Sequence, residues 1–352
     1  MSNQLPLIFD GHNDVLSCMY RAGESGDISP FITGRDGAVD APKGKIGGFG
    51  GGFFAIYIPS EHTGESYSDS MDSTPYDVPL PEALETPAAT TVALGQAAIL
   101  IRLQEQGALE ICTTAKQIAS CMERGKLAAI MHIEGAEAID PDLHSLDVLY
   151  HAGLRSLGPV WSRPTLFGHG VPFRFPSNGD TGPGLTDLGK KLVKRCNQLN
   201  IMLDLSHLNE AGFWDIAKLS DAPLVATHSN VHQLCNSSRN LSDKQLAAIA
   251  DSDGMVGVNY AVAFLRSDGK KITDTPLNVL FQHVDYLIDK LGEDRVGFGS
   301  DYDGADVPAD ITTIADLPNL RDAMRAHGYD ESLIKKLCHQ NWLRVLEKTW
   351  GA

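Results

Sequence analysis

Short apolar runs of three to six residues alternate along the chain with longer stretches whose apolar positions recur at helical spacing. Eight runs read as strands: Leu7–Phe9, Phe53–Ile58, Ala128–Ile133, Arg155–Val160, Met202–Leu205, Leu224–Ala226, Met255–Asn259 and Arg295–Phe298. Several are continuously apolar rather than alternating, as expected for a parallel sheet covered on both faces. Between them lie helical patterns at Thr90–Gln106, Thr113–Arg124, Asp142–Ala152, Thr186–Asn200, Asn209–Leu219, Ser242–Ser252 and Pro276–Leu291, and a final pair at Asp316–His327 and Glu331–Lys348. Thr186, Asn209 and Ser242 are capping residues, and Thr275-Pro276 starts a helix with Pro just inside.

Strand followed by helix, eight times over, predicts a (β/α)8 barrel (TIM barrel). An open doubly wound sheet is the rival. The first strand argues against a dinucleotide fold, because DGHND follows it where GxGxxG would stand. The glycines of residues 44–52 precede no GK[ST], so they form no P-loop and read as a flexible approach to a strand. Two polar, Pro-rich and Gly-rich stretches, at about residues 60–88 and 162–184, read as excursions over the barrel mouth or as loops. No internal repeat or composition break divides the chain, so residues 1–352 are expected to form one domain.

Charge and cysteines narrow the partners. Lys and Arg number 29 against 45 Asp and Glu, a net charge of −16. So acidic a chain repels phosphate backbones and anionic lipids, which sets aside nucleic acid and membrane surfaces. Residues 1–10 lack the basic start and apolar run of a secretory leader, and no apolar run approaches the ~20 residues that cross a bilayer. The six cysteines show no CxxC spacing and read as reduced thiols. A cytoplasmic location is expected; a homodimer is compatible with the sequence.

Barrel enzymes carry their chemistry at the C-terminal ends of strands. Five of the eight ends here carry His, Asp or Glu: Asp10-Gly11-His12-Asn13-Asp14, His132-Ile133-Glu134, Asp204-Leu205-Ser206-His207, Thr227-His228 and Ser300-Asp301-Tyr302-Asp303. In an extended chain residues i and i+2 point the same way, so His12 and Asp14 can converge on one ion. His207 and His228 can converge on another, with Glu134 between them. Imidazole plus carboxylate is a zinc-like or manganese-like ligand set. Two such ions ~3.5–4 Å apart generate a bridging hydroxide at neutral pH and polarise a carbonyl. Asp10 is either a partner that orients a ligand or a structural hydrogen-bonding group. His132 is read as packing, and Asp303 as a turn cap. His62, His144, His151, His232, His283, His327 and His339 show no converging partner.

Taken together, DGHND, IEGAE, LDLSH, ATHSN, SSRN and GSDYDG resemble the membrane dipeptidase (renal dipeptidase) family of binuclear zinc peptidases, peptidase family M19. The motifs run in family order from Phe9 to Gly304. The resemblance implies a (β/α)8 barrel with two Zn2+, hydrolysing small dipeptides and tolerating a C-terminal D-residue. It places His12 and Asp14 on one zinc, His207 and His228 on the other, and Glu134 as the bridge. It makes Asp301 the group that takes a proton from the attacking water and passes it to the leaving amine. It makes Arg239 the partner of the substrate carboxylate. One position departs from the renal pattern. Where those members carry a substrate-contacting histidine on strand four, this chain has Trp161. Arg163 and His169, just downstream, are candidates to replace that contact, and Trp161 is a candidate wall for a side-chain pocket.

Two rival functions remain at this level. Lactonases, phosphotriesterases and deaminases on the same barrel usually carry His-x-His on strand one and often a lysine on strand four. This chain has His12-x-Asp14, and no lysine between Arg155 and Arg163. A non-catalytic metal-binding or peptide-binding barrel would be expected to have lost a ligand or the proton-carrying acid, and all six residues are present.

Overall fold

The computed structural model describes residues 6–60 and 71–351. His62 and part of the first expected excursion lie outside those residues. All eight expected strands form: β1 (Ile8–Asn13), β2 (Phe49–Tyr57), β3 (Leu127–Glu134), β4 (Leu154–Gly158), β5 (Met202–Leu203), β6 (Val225–Ala226), β7 (Met255–Val258) and β8 (Val296–Phe298). They pair in the order β5-β4-β3-β2-β1-β8-β7-β6, every pair parallel. A parallel bridge between Asp204 and Val225 joins the two ends, with Leu205 N donating to Val225 O at 2.9 Å. The sheet is therefore a barrel, and the expected (β/α)8 architecture is what is seen.

The largest departures lie at the start of the chain. β1 runs four residues past Phe9, which brings His12 inside the strand. The glycines of residues 50–52 are part of β2 rather than an approach to it. They are required there: a Cβ on Gly51 would lie 1.9 Å from Ala128 O, and one on Gly52 would lie 2.5 Å from Asp10 O. Small residues let β2 press between its neighbours, a known use of glycine within strands. Three short helices that the pattern did not reveal, Val15–Arg21, Ser29–Thr33 and Ala41–Gly47, fill the space between β1 and β2.

The lower half of the barrel is a packed core. Phe9, Phe53, Ile130, Met202, Val225 and Met255 meet Trp342, which enters from the last helix, Asn341–Trp350. The Trp342 indole donates to Phe298 O at 3.0 Å. Three glycines make room for it: a Cβ on Gly11, Gly257 or Gly297 would stand 2.5, 2.9 or 3.0 Å from its ring atoms. The interior below the site is thus filled by side chains, as in other barrels of this kind. At the opposite end, Tyr76–Val78 and Phe173–Phe175 pair as antiparallel strands. The two expected excursions therefore meet, and Tyr76, Val78 and Phe173 pack with Ala261, Ala263 and Phe264.

Candidate metal centre and substrate cavity

The five ligand candidates converge at the C-terminal ends of the strands. Glu134 ends β3 and is the hub. Its Oε2 lies 3.6 Å from His12 Nε2, and its Oε1 lies 3.0 Å from His207 Nε2 and 3.3 Å from His228 Nε2. One carboxylate thus turns one oxygen toward each half of the site. His12 Nε2 is 3.4 Å from Asp14 Oδ2, and His207 Nε2 is 3.1 Å from His228 Nε2. The route by which Asp14 arrives differs from the strand alternation expected. It is the N-cap of helix Val15–Arg21, with φ −105° and ψ 20°, so a turn and not an extended chain swings its carboxylate toward His12.

The chemistry of this cluster calls for a cation. Thr227 Oγ1 donates to Asp204 Oδ2 at 2.6 Å, so it accepts from His228 Nδ1 at 2.8 Å. That leaves a lone pair on His228 Nε2, which faces a carboxylate oxygen and a second imidazole nitrogen. Both ring nitrogens of His12 are buried with no hydrogen-bond partner. Buried acceptors that face acceptors are costly unless something positive sits among them. His12, Glu134 and His228 offer ligand atoms all within 4.8 Å of one another, and so do His12, Asp14 and Asp301. The residues fit a metal centre.

The proton affinities are split across the site. Burial alone would lower the His12 pKa, but the Glu134 and Asp14 carboxylates overcome it and push it up to about 10. Burial holds Glu134 well above the usual carboxylate range, with His12 opposing and Asp14 and Asp301 adding to the effect. His207 and His228 are held well below an ordinary histidine by burial and by the positive charges of His12 and Arg239. Both shifts favour the neutral imidazole, the form that binds metal.

Asp301 follows β8 in a left-handed conformation, φ 63°, and its N–H donates to His12 O at 3.0 Å. His207 is likewise left-handed, φ 67°. Non-glycine residues rarely hold this conformation, and functional sites concentrate such strain. Gly304 makes space for the two acids: a Cβ there would lie 2.1 Å from Asp14 Oδ2 and 2.6 Å from Asp301 Oδ1. Burial raises the Asp301 pKa, with His12 opposing. Arg239 is 4% exposed, donates to His228 O at 3.2 Å and lies 5.4 Å from the Phe264 ring centre.

Other groups support the cluster, and of these Asn259 and Ser162 carried no sequence signal. Asn259, at the end of β7, donates to Asp301 Oδ2 at 2.9 Å, and its own oxygen accepts from Ala261 N at 2.6 Å, which fixes the orientation of the amide. Ser162 Oγ lies 2.9 Å from His207 Nδ1. Asp204, bonded to Thr227 N, Thr227 Oγ1 and Ser206 N, anchors the His228 side. Asp10 accepts from Ser300 N and Oγ at 2.6 and 2.7 Å, and burial raises its pKa to about 7. His132 bonds Ser156 Oγ at 2.9 Å and is buried.

Above the cluster opens a cavity of about 680 Å3 whose wall includes Glu134, His207, Asp14, Asp301, Trp161 and Phe173. Trp161, just after β4, faces His207 at 5.9 Å between ring centres. The two candidates to replace the renal histidine, Arg163 and His169, have their polar groups turned to other partners. The Arg163 guanidinium is buried and bonds Glu137, Ser60 and Ile58 O. His169 Nδ1 lies 3.4 Å from Gly184 O. Neither residue lines the cavity. Asp303 does line it, and accepts from Ala38 N at 2.6 Å and from Arg35 at 3.2 Å.

Residues 2–350 match the model of a family described as membrane dipeptidase (peptidase family M19). The chain belongs to that family. Its structure is similar to that of a metallo peptidase from Rhodobacter sphaeroides liganded with a phosphinate mimic of the dipeptide L-Ala-D-Ala, with 52% identity, 99% of this chain and 100% of that one covered, and a TM-score of 0.96. A probable dipeptidase from Pseudomonas aeruginosa, PvdM, shares the fold at 22% identity and a TM-score of 0.80, over 98% of this chain and 96% of that one. A curated relative from Klebsiella pneumoniae, an uncharacterized protein in the pqqA 5′ region, is 49% identical over 257 residues, 72% of this chain and 95% of its own length. The metallo-dipeptidase class expected from the sequence is borne out. Among the described residues no helix is long and apolar enough to cross a membrane.

Proposed function

We propose that this member of the family is a binuclear zinc dipeptidase that cleaves dipeptides, including those with a C-terminal D-residue. The observation that carries the reading is Glu134, whose two oxygens divide between the His12–Asp14 half and the His207–His228 half of a buried, acceptor-rich cluster. His12 and Asp14 would hold one ion, His207 and His228 the other, and Glu134 both. Two zinc ions held there would supply a water acidified to near-neutral pKa and a Lewis acid for the peptide carbonyl.

The chain's own groups do the rest. Asp301 has one oxygen occupied by the Asn259 amide, so the other is the one free to take a proton from the attacking water and return it to the leaving nitrogen. Arg239 offers a planar fork to the substrate carboxylate, held in place by its bond to His228 O. A carboxylate clamp at one end and the ion-binding cluster at the other would restrict substrates to about two residues. Tolerance of a D-residue is supported by the Rhodobacter relative, whose ligand mimics L-Ala-D-Ala. Six free cysteines support a cytoplasmic location.

The test is a screen of L-Xaa-L-Xaa and L-Xaa-D-Xaa dipeptides with zinc-reconstituted protein, with elemental analysis alongside. Turnover of both series at about two zinc per chain is expected. A lactone or phosphotriester outcompeting every dipeptide would overturn the reading.

A further inference from the structure

The cavity lining combines charged groups, among them Asp14, Arg21, Lys271 and Asp306, with an aromatic set, Tyr57, Trp161, Phe173 and Phe264. The aromatic side is continuous. Tyr57 meets Trp161 at 5.1 Å between ring centres, Trp161 meets Phe173 at 5.5 Å, and Phe173 stacks on Phe264 at 5.9 Å. Groups of the site touch its Phe264 end and its middle. Phe264 lies against the Arg239 guanidinium, and Trp161 and Phe173 lie 5.9 and 6.2 Å from the His207 ring.

We infer that this aromatic wall is the subsite for the side chain of the C-terminal residue, and that it selects dipeptides whose C-terminal residue is apolar. The inference rests on the dipeptidase reading and on Arg239 as the carboxylate partner. A substrate with its carboxylate at Arg239, which faces the Phe264 ring at 5.4 Å, and its scissile bond over Glu134 would place its C-terminal side chain between Phe264 and Trp161. The ring faces themselves carry no charge, and the Lys271 and Asp306 side chains that also line the cavity pair with each other at 3.2 Å, so a Lys or Asp side chain placed against the rings would lose water without gaining a partner there. A Leu or Phe side chain would instead exchange water for ring faces. Trp161 is the determinant that departs from the renal pattern: where an imidazole could offer both a donor and an acceptor, the indole offers one donor and a broad apolar face. The cavity volume of about 680 Å3 leaves room for a large side chain. The wall is also stiffened from outside, because Phe173 belongs to the two-stranded pairing of Phe173–Phe175 with Tyr76–Val78.

The experiment is steady-state kinetics of the zinc-loaded protein on L-Ala-Gly, L-Ala-D-Leu, L-Ala-D-Phe, L-Ala-D-Asp and L-Ala-D-Lys, with a matching series varied at the N-terminal residue. Wild-type kcat/KM for the Leu and Phe substrates should exceed that for the Gly, Asp and Lys substrates by about tenfold or more, the scale of burying one such side chain. Trp161→Ala and Phe173→Ala should each cut the Leu-to-Gly ratio about fivefold or more, chiefly through KM, as expected for lost uniform binding. Trp161→Phe, which keeps an aromatic face, should restore most of the ratio. Preference for a charged C-terminal residue would overturn the inference, as would an unchanged ratio in both alanine variants or selectivity that follows only the N-terminal residue. Should the variants fail to fold, the wild-type series alone decides. If no dipeptide is cleaved at all, it is the dipeptidase reading that fails.

Discussion

Thr227 has one hydroxyl hydrogen, and Asp204 takes it; that single fact makes His228 Nδ1 the donor and leaves His228 Nε2 as the proposed ligand atom. Such partners orient a metal-binding imidazole and raise its basicity. Thr227→Val should therefore weaken metal affinity about 10- to 100-fold, read by competition against a chelator, with the fold retained. Asp301 does a different job. Asp301→Asn should leave metal content near wild type while lowering kcat about 10²- to 10⁴-fold, the range of a lost general acid–base; near-normal turnover would remove Asp301 from the reaction. The candidate ligands were legible in the sequence because histidine and carboxylate at strand ends are chemically conspicuous. Asn259, Ser162 and Thr227 were not, because amides and hydroxyls stand at many strand ends and only the three-dimensional contact singles these out.

Among elements, helix Leu277–Leu291 shows how the scaffold is tied together. Its buried His283 accepts from Val231 N through Nδ1 at 3.1 Å, and its Nε2 meets Leu265 O at 2.9 Å. The neutral ring thus joins the segments after β6 and β7, and burial lowers its pKa to about 4, the bond to Leu265 opposing. The unfolded chain takes up this proton near pH 6.5, while the fold resists it until about 4. Stability is in full above pH 6.5 and is lost as pH falls through that window, by at most about 3 kcal/mol. His283→Gln should flatten the fall of Tm between pH 6.5 and 4; an unchanged slope would assign the acid sensitivity elsewhere. The eight strands were legible as apolar runs. The start of β2 was not, because glycine carries no apolar signal and reads as loop until a neighbouring backbone is seen to need the space. Nor was the pairing of Tyr76–Val78 with Phe173–Phe175, which joins segments nearly a hundred residues apart. Trp342 reads as one more apolar position on an amphipathic helix, and only Gly11, Gly257 and Gly297 reveal that the barrel was hollowed to receive it.

For the molecule as a whole, an acidic chain gathers three carboxylates, Asp14, Glu134 and Asp301, around His12 at the mouth of a barrel whose lower half is packed solid. Ions bound to the folded state alone would stabilise it. The most direct test is stepwise addition of zinc to chelator-stripped protein while L-Ala-D-Ala hydrolysis and thermal stability are followed together. Both should rise and level off at about two equivalents per chain, and Glu134→Gln should abolish the plateau in each. Full hydrolysis by metal-free protein, or no hydrolysis at any zinc loading, would contradict the account.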